Sequence, residues 1–288
     1  LEQNTSFAQK FRNYLVINSL IKSQNANMGI NFFMDNPGAT WQQFLDQVQK
    51  TPCETTNNAG TILKNPEVQS KMDAVLKGKR NATNEFAVSV GKNPNGSYSV
   101  TPPKEGGRHI GTVPPVISEN YVADGHTHSD GHYGTPSAGD FYNFILRFPN
   151  NPNLQSRFVY GSYFGDAEVY ALVVYNKTLA QSFINAYPKS VNYNETTATF
   201  LQGSALGNAY QDAADYANGG IYQNTSGEDY SPSAMVMAYV LDKFNTGISL
   251  AKVDANGNLK KVTVTQEMIT VSGGNGIPKM GLKITKCP

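Results

Sequence analysis

The sequence predicts an α+β protein in which a mixed β-sheet is flanked by helices, and the hydrophobic period along the chain is the basis of this prediction. Apolar residues follow helical spacing over the first eighty residues and alternate from Glu85 onwards. Beyond residue 135 the two periods follow one another as helix, strand, strand and helix. We therefore expect a helical N-terminal segment at 1–80, a central domain at 81–190, and a helix-plus-hairpin C-terminal extension at 191–288 packed on the core.

Three helices are predicted in the N-terminal segment. The first has apolar residues at helical spacing from Phe7 to Leu15, and the second begins at a capping box formed by Thr40–Gln43. The third begins at Asn65-Pro66, because proline is favoured in the first turn of a helix, and ends at Gly78.

Strands are predicted next, on both sides of a tight turn. Phe86, Val88 and Val90 alternate with small residues, and Asn93–Gly96 has the composition of a hairpin turn. The apolar run Val116–Ala123 then leads directly into the sequence Gly-His-Thr-His. We therefore expect these histidines at the end of a strand.

The later elements follow the same two patterns, and whether the last strands join the central sheet is left open by the sequence. A helix is predicted to start at Thr135–Ser137. The remaining predictions are strands at Phe158–Tyr163 and Glu168–Tyr175, helices at Lys177–Tyr187, Thr199–Ala217 and Pro232–Phe244, and a hairpin of Ile248–Val253 with Leu259–Thr265.

Composition restricts the class of protein. The chain has 23 basic and 22 acidic residues without a basic cluster, so we expect no nucleic-acid partner, and it has no apolar run long enough to span a membrane. A low charged fraction of 16% and a first residue Leu1 lead us to expect a mature extracytoplasmic or secreted protein, with a cytoplasmic location left open. Cys53 and Cys287 are compatible with one long-range disulfide and equally with two separate thiols.

The histidines are the most informative residues. All four, at positions 109, 126, 128 and 132, lie within one stretch of 24 residues. His126 and His128 are two residues apart, so on a strand both imidazoles point to the same face. Asp140 follows at the start of the next predicted helix. Two imidazoles and one carboxylate, with a fourth position open, are a common catalytic zinc arrangement.

This pattern resembles the JAB/MPN metallopeptidases, also called JAMM proteins, in which a glutamate on an early strand is followed by His-x-His and then by Ser-x-x-Asp. The matching residues are Glu85, His126, His128, Ser137 and Asp140. The resemblance covers residues 81–190, is closest to a bacterial JAB-like branch, and implies a core similar to that of cytidine deaminases. The gap between the second histidine and the serine is one residue longer than usual, which a loop can absorb.

The resemblance also implies roles for these residues. His126, His128 and Asp140 would bind Zn²⁺ and leave its fourth position to water, and Glu85 would take a proton from that water and pass it to the leaving amine. Ser137 would donate a hydrogen bond to the oxyanion. The expected function is zinc-dependent hydrolysis of a peptide or isopeptide amide bond, with a peptide or protein as substrate.

Several of these residues also have a purely structural interpretation. Ser137 and Asp140 have the N-cap and N3 spacing of a capping box. Asp124 and Asp130 are interpreted as ordinary turn residues. His132 is expected to be exposed in a Gly-rich loop, where it can line a cleft.

Two other functions compete with amide hydrolysis. The first is a catalytically inactive JAB-like scaffold that acts as an extracytoplasmic binding protein, although the presence of Glu85 argues for catalysis. The second is a PHP-like metal phosphoesterase, because the sequence around His126 resembles the first motif of that family. Such enzymes use further histidines later in the chain, and this chain has none after His132. The segments Thr101–Pro115 and Gly219–Ser231 are predicted to determine specificity.

Overall fold

The structure is a computed structural model that describes residues 34, 37–40, 52–108, 114–117, 120–270 and 277–287. The two helices predicted before residue 50, and His109, lie outside the described residues. Pro52–Cys287 form one of the two compact units of the chain, and the elements below belong to it. None of the helices in the described ranges has the length and hydropathy needed to cross a membrane.

The central sheet has eight strands in the order β11-β10-β6-β5-β4-β1-β2, with β3 paired to β1. Strands β4 and β5 are parallel and the other pairs are antiparallel, so the predicted α+β fold with a mixed central sheet is confirmed. The strands are β1 (Phe86–Lys92), β2 (Tyr98–Val100), β3 (Lys104–Glu105), β4 (Tyr121–Thr127), β5 (Ser156–Tyr163), β6 (Asp166–Val174), β10 (Ile248–Val253) and β11 (Leu259–Lys261).

Five shorter or later strands lie outside this sheet. Strands β7 (Tyr193–Asn194) and β8 (Thr199–Phe200) form a small hairpin, while β9 (Tyr222–Asn224), β12 (Thr263–Ile269) and β13 (Lys279–Thr285) form a three-stranded sheet. The late strands β10 and β11 join the central sheet beside β6, which answers the question that the sequence left open.

Helices cover both faces of the central sheet, as predicted. Helix α1 spans residues 66–79 and includes a π-helical turn at Gln69–Asp73. Its buried side chains pack with apolar residues of β1, β4, β5 and β6 on one face. Four helices contribute to a second core on the opposite face: α2 (Ala138–Ile145), α3 (Lys177–Ala186), α5 (Ala205–Asn218) and α6 (Pro232–Lys243). The short helix α4 (Lys189–Asn192) follows α3.

Local chemistry explains how α1 and β4 fit together. The Asn65 side chain accepts hydrogen bonds from the first free amides of α1, which is the predicted helix start. A Cβ at Gly125 would lie 2.8 Å from Leu76 Cδ1 and 3.1 Å from Met72 Sδ, so a larger residue would push the ends of these two side chains aside. Because side chains alternate along a strand, His126 points to the opposite face, towards α2.

Two of the predicted elements begin later than expected. The strand predicted at Val116–Ala123 covers Tyr121–Thr127 instead, and Val116 is 95% exposed. The helix predicted from Thr199 begins at Ala205, because Thr199–Phe200 pair with β7 and Ser204 caps the helix.

The two cysteines form a disulfide. Cys53 and Cys287 are 234 residues apart in sequence and their Cα atoms are 5.9 Å apart. The bond joins the α-helical segment at residues 52–59 to the chain just after β13, so it closes almost the whole described unit into one covalent loop.

Candidate metal centre

The centre lies where β4 ends and α2 begins. The chain leaves β4 at Thr127, passes through a short loop and α2, and returns as β5, which is parallel to β4. Ligands commonly bind outside the carboxyl ends of parallel strands, at such crossovers. His126, His128 and Asp140 meet at this place, and their ligand atoms all lie within 4.8 Å of one another.

The three side chains are close enough to share a cation. His126 Nε2 lies 3.0 Å from Asp140 Oδ1, and His128 Nε2 lies 3.3 Å from Asp140 Oδ2. In a tetrahedral shell with bonds of about 2.0–2.1 Å, neighbouring ligand atoms are about 3.3–3.4 Å apart. Each imidazole is near this separation from one carboxylate oxygen, and the whole set lies within 4.8 Å, so small side-chain movements would bring all three ligands to one ion.

The protonation of His128 is set by its other ring nitrogen. Nδ1 lies 2.7 Å from the carbonyl oxygen of Tyr133, so it carries the proton and donates it there. In the neutral ring Nε2 then presents a lone pair towards Asp140, where two acceptors face each other. A proton or a metal ion bound between Nε2 and the carboxylate oxygen removes this repulsion.

The charges around Asp140 favour its ionised form. Burial alone would raise the pKa of this carboxyl, but the charge of His126 and hydrogen bonds from both imidazoles hold the pKa well below its ordinary value. Burial lowers the pKa of His128, and hydrogen bonds to Asp140 and Tyr133 with the charge of Glu85 outweigh it, so that pKa is raised. The ionised carboxylate suits a divalent cation, which would have to displace the proton that the raised pKa favours on His128.

Ser137 and Asp140 also form the capping box that their spacing predicts. The Ser137 hydroxyl accepts a hydrogen bond of 3.0 Å from the Asp140 amide, and Asp140 Oδ2 accepts one of 2.8 Å from the Ser137 amide. The Ser137 hydroxyl in turn donates to Asp140 Oδ2 at 2.8 Å. The structural interpretation is therefore confirmed, and it coexists with the metal-ligand geometry because the cap fixes the direction of the carboxylate.

Glu85 lies on the same face as the histidines. Ala87 is paired with His126 in the antiparallel β1–β4 ladder, so continuing the register places Glu85 opposite His128. Glu85 is 7% exposed, and it lines the same cleft as both histidines. This cleft of about 310 Å³ contains the whole predicted site: Glu85, His126, His128, Ser137 and Asp140, together with the exposed His132.

Asp124 is not a turn residue, so this prediction was wrong. It lies inside β4 with no exposed surface and pairs with Arg157 of β5, which donates at 2.7 Å to Oδ1 and at 2.8 Å to Oδ2. Tyr121 and Arg147 also donate to Oδ2. Arg157 Nη1 donates at 3.2 Å to the carbonyl of Asp140, so this buried ion pair fixes the first turn of α2 against β4. Asp130, by contrast, lies in a turn as predicted.

The wall of the cleft includes residues that the sequence analysis missed. Asn143 and Gly139 come from α2, and Tyr193 and Ala198 come from the β7–β8 hairpin beyond the predicted central domain. Burial raises the pKa of Tyr193, and the charges of Asp140 and Glu195 raise it further. Strands of two residues have no detectable alternation, so nothing in the sequence connects Tyr193 to the site.

No protein-family model, curated protein or solved structure matches the chain. Its function is therefore inferred from the geometry of these residues. The group of His126, His128 and Asp140 can bind a metal ion.

Proposed function

We propose that the protein is a zinc-dependent hydrolase of a peptide or isopeptide amide bond, with a JAB/MPN-like core. The observation that carries this proposal is the grouping of His126, His128 and Asp140 within the reach of one cation, with Glu85 lining the same cleft. Two imidazoles and a carboxylate are the ligands expected of catalytic zinc rather than of Ca²⁺ or Mg²⁺, which prefer oxygen.

The buried glutamate distinguishes a hydrolytic site from a structural one. A structural zinc site has four protein ligands and needs no base, whereas the group here has three ligands and a carboxylate beside them. A zinc ion held by the three ligands would lower the pKa of water and polarise a carbonyl group. Glu85, which lines the same cleft, would take the proton that water loses as it attacks the amide carbon.

The proton balance follows from this placement. Water adds to the carbonyl carbon and gives one proton to Glu85, and Glu85 then passes that proton to the nitrogen as the carbon–nitrogen bond breaks. The products are a carboxylic acid, which keeps the second proton of the water, and an amine; at neutral pH that proton passes to the amine, which leaves a carboxylate and an ammonium group. Ser137 was predicted as the donor to the oxyanion, and in the structure its hydroxyl proton is held by Asp140.

The disulfide supports an extracytoplasmic location. Disulfides persist in oxidising compartments, and Cys53 and Cys287 form one here. A secreted peptidase or isopeptidase is therefore the form of the proposal that agrees best with the covalent structure.

The first test is metal content. Protein loaded with zinc and freed of excess ion should retain about one equivalent, and a His126→Ala/His128→Ala double variant should lose it. His132→Ala is the matched control, because this histidine lines the same cleft without belonging to the ligand group. Unchanged zinc in the double variant would refute the site.

The second test separates an enzyme from a binding scaffold. Glu85→Gln should retain zinc and lower hydrolysis of peptide and isopeptide substrates by about 10²–10⁴-fold, the usual contribution of a general base. Zinc binding by the parent without cleavage of any amide substrate would favour the inactive scaffold.

A further inference from the structure

The phenol of Tyr193 lines the cleft of the metal centre and lies close against Gly139. A Cβ built on Gly139 would lie 2.7 Å from the Tyr193 hydroxyl and 3.4 Å from Ser137 Oγ. Gly139 is in the first turn of α2, directly before Asp140, and glycine is a poor helix former. The absence of a side chain at Gly139 leaves space for the Tyr193 hydroxyl beside the metal ligands.

The aromatic ring of Tyr193 is held in place from several sides. Tyr193 pairs with Phe200 across the β7–β8 hairpin, and its ring centroid lies 6.0 Å from that of Tyr142. Lys189 Nζ lies 4.6 Å from the ring centroid on its face. A ring fixed by backbone pairing and by these contacts directs its hydroxyl to a defined point in the cleft.

The hydroxyl has a proton to donate. Within the described part of the chain it makes no hydrogen bond, and a phenol is protonated at neutral pH. Ser137 differs, because its hydroxyl donates to Asp140 Oδ2 and accepts from the Asp140 amide. Unlike the Ser137 hydroxyl, that of Tyr193 can donate to a substrate without breaking a bond that orients Asp140.

We propose that Tyr193 is a further catalytic residue, whose hydroxyl donates a hydrogen bond to the oxyanion formed when water adds to the substrate carbonyl. This inference rests on the proposed hydrolytic function and assigns the oxyanion role to the hairpin rather than to Ser137. Glu85 and Tyr193 then have separate tasks. Glu85 moves the proton from water to amine, and Tyr193 keeps its own proton and stabilises the negative oxygen.

The test uses methylphosphonate, a tetrahedral anion that resembles the oxyanion, and zinc-loaded protein freed of excess ion. Calorimetry measures its Kd, and metal analysis measures zinc in the same samples. Tyr193→Phe should bind methylphosphonate about 10-fold more weakly or worse, because it loses one hydrogen bond to a charged group, and its zinc content should not change. Tyr210→Phe is the matched control, since Tyr210 packs on Phe200 behind the hairpin and does not line the cleft.

A second variant reaches the same hydroxyl indirectly. Gly139→Ala places a methyl group against the hydroxyl and should also weaken binding. When Tyr193 is changed to Phe, the nearest ring carbon is 3.4 Å from the added methyl, an ordinary contact. The double variant should therefore bind no more weakly than Tyr193→Phe alone.

The outcomes are distinct. A Kd for Tyr193→Phe within about twofold of the parent, no binding by the zinc-loaded parent, or additive losses in the double variant would each overturn the role of Tyr193. Absence of zinc from the parent protein would instead overturn the proposed function itself.

Discussion

Replacing Arg157 by methionine should destabilise the protein by about 3 kcal/mol. The Arg157 and Asp124 side chains are 4% and 0% exposed, and two hydrogen bonds of 2.7 and 2.8 Å join them. Removing one partner of such a buried pair costs about 3–5 kcal/mol, because the remaining charge is left without its counterion. The lower end applies here, since Tyr121 and Arg147 still contact the carboxylate.

The expected change is measurable by thermal and urea unfolding at pH 7. In a domain of this size 1 kcal/mol corresponds to about 2–4 °C, so the melting temperature should fall by about 6–12 °C. Methionine keeps an apolar side chain of similar length, so cavity formation contributes little. In the double variant Asp124→Asn/Arg157→Met, the charge is gone and at least half of the lost stability should return.

The pH dependence has a definite sign. Burial raises the pKa of Asp124, but Arg157 outweighs it and lowers that pKa below its ordinary value of 3.8. The contribution of the pair is therefore complete above pH 3.8 and is lost as the pH falls through the pKa of the folded state. The Arg157→Met variant should lose less stability than the parent over this acid range. A loss of less than 1 kcal/mol at pH 7 would refute the account of the buried pair.

Two further predictions concern the rest of the unit. In a Cys53→Ser/Cys287→Ser variant the free energy of unfolding should fall by about 2–5 kcal/mol, because the disulfide closes a loop of 234 residues and restricts the unfolded chain. Equal urea midpoints with and without the disulfide would contradict this. Burial raises the pKa of Glu168 above its ordinary 4.5, so stability should decrease as the pH rises from 4.5 through the raised pKa. Urea midpoints measured across this range should show a flatter profile for Glu168→Gln, and an unchanged slope would exclude Glu168 as its source.

Periodicity along the sequence was sufficient for most elements of the fold. Alternation predicted β1, β5 and β6, and helical spacing predicted α1, α3 and α6 close to their observed bounds. The face shared by His126 and His128 also followed from local geometry alone. These features depend on neighbours in the chain, which the sequence displays directly.

The features that the sequence could not predict depend on distant pairing. Asp124 has a residue type that is rare in strands and common in turns, and its partner Arg157 comes beside it only through the parallel pairing of β4 with β5. Tyr193 reaches the cleft on a strand of two residues. The pairing of β10 with β6 could not be predicted either, because the sequence of a strand does not show which other strand it pairs with.

The pairing of β10 with β6 makes the C-terminal part of the chain indispensable to the centre. A protein ending near residue 190 would leave residues 170–174 of β6 as an open edge, with free main-chain groups that invite association between molecules. The same cut would also remove Tyr193 from beside Gly139. Smaller versions of the protein would therefore have to be obtained by shortening surface loops, since the sheet beneath the ligands and the hairpin beside them both need residues beyond 190.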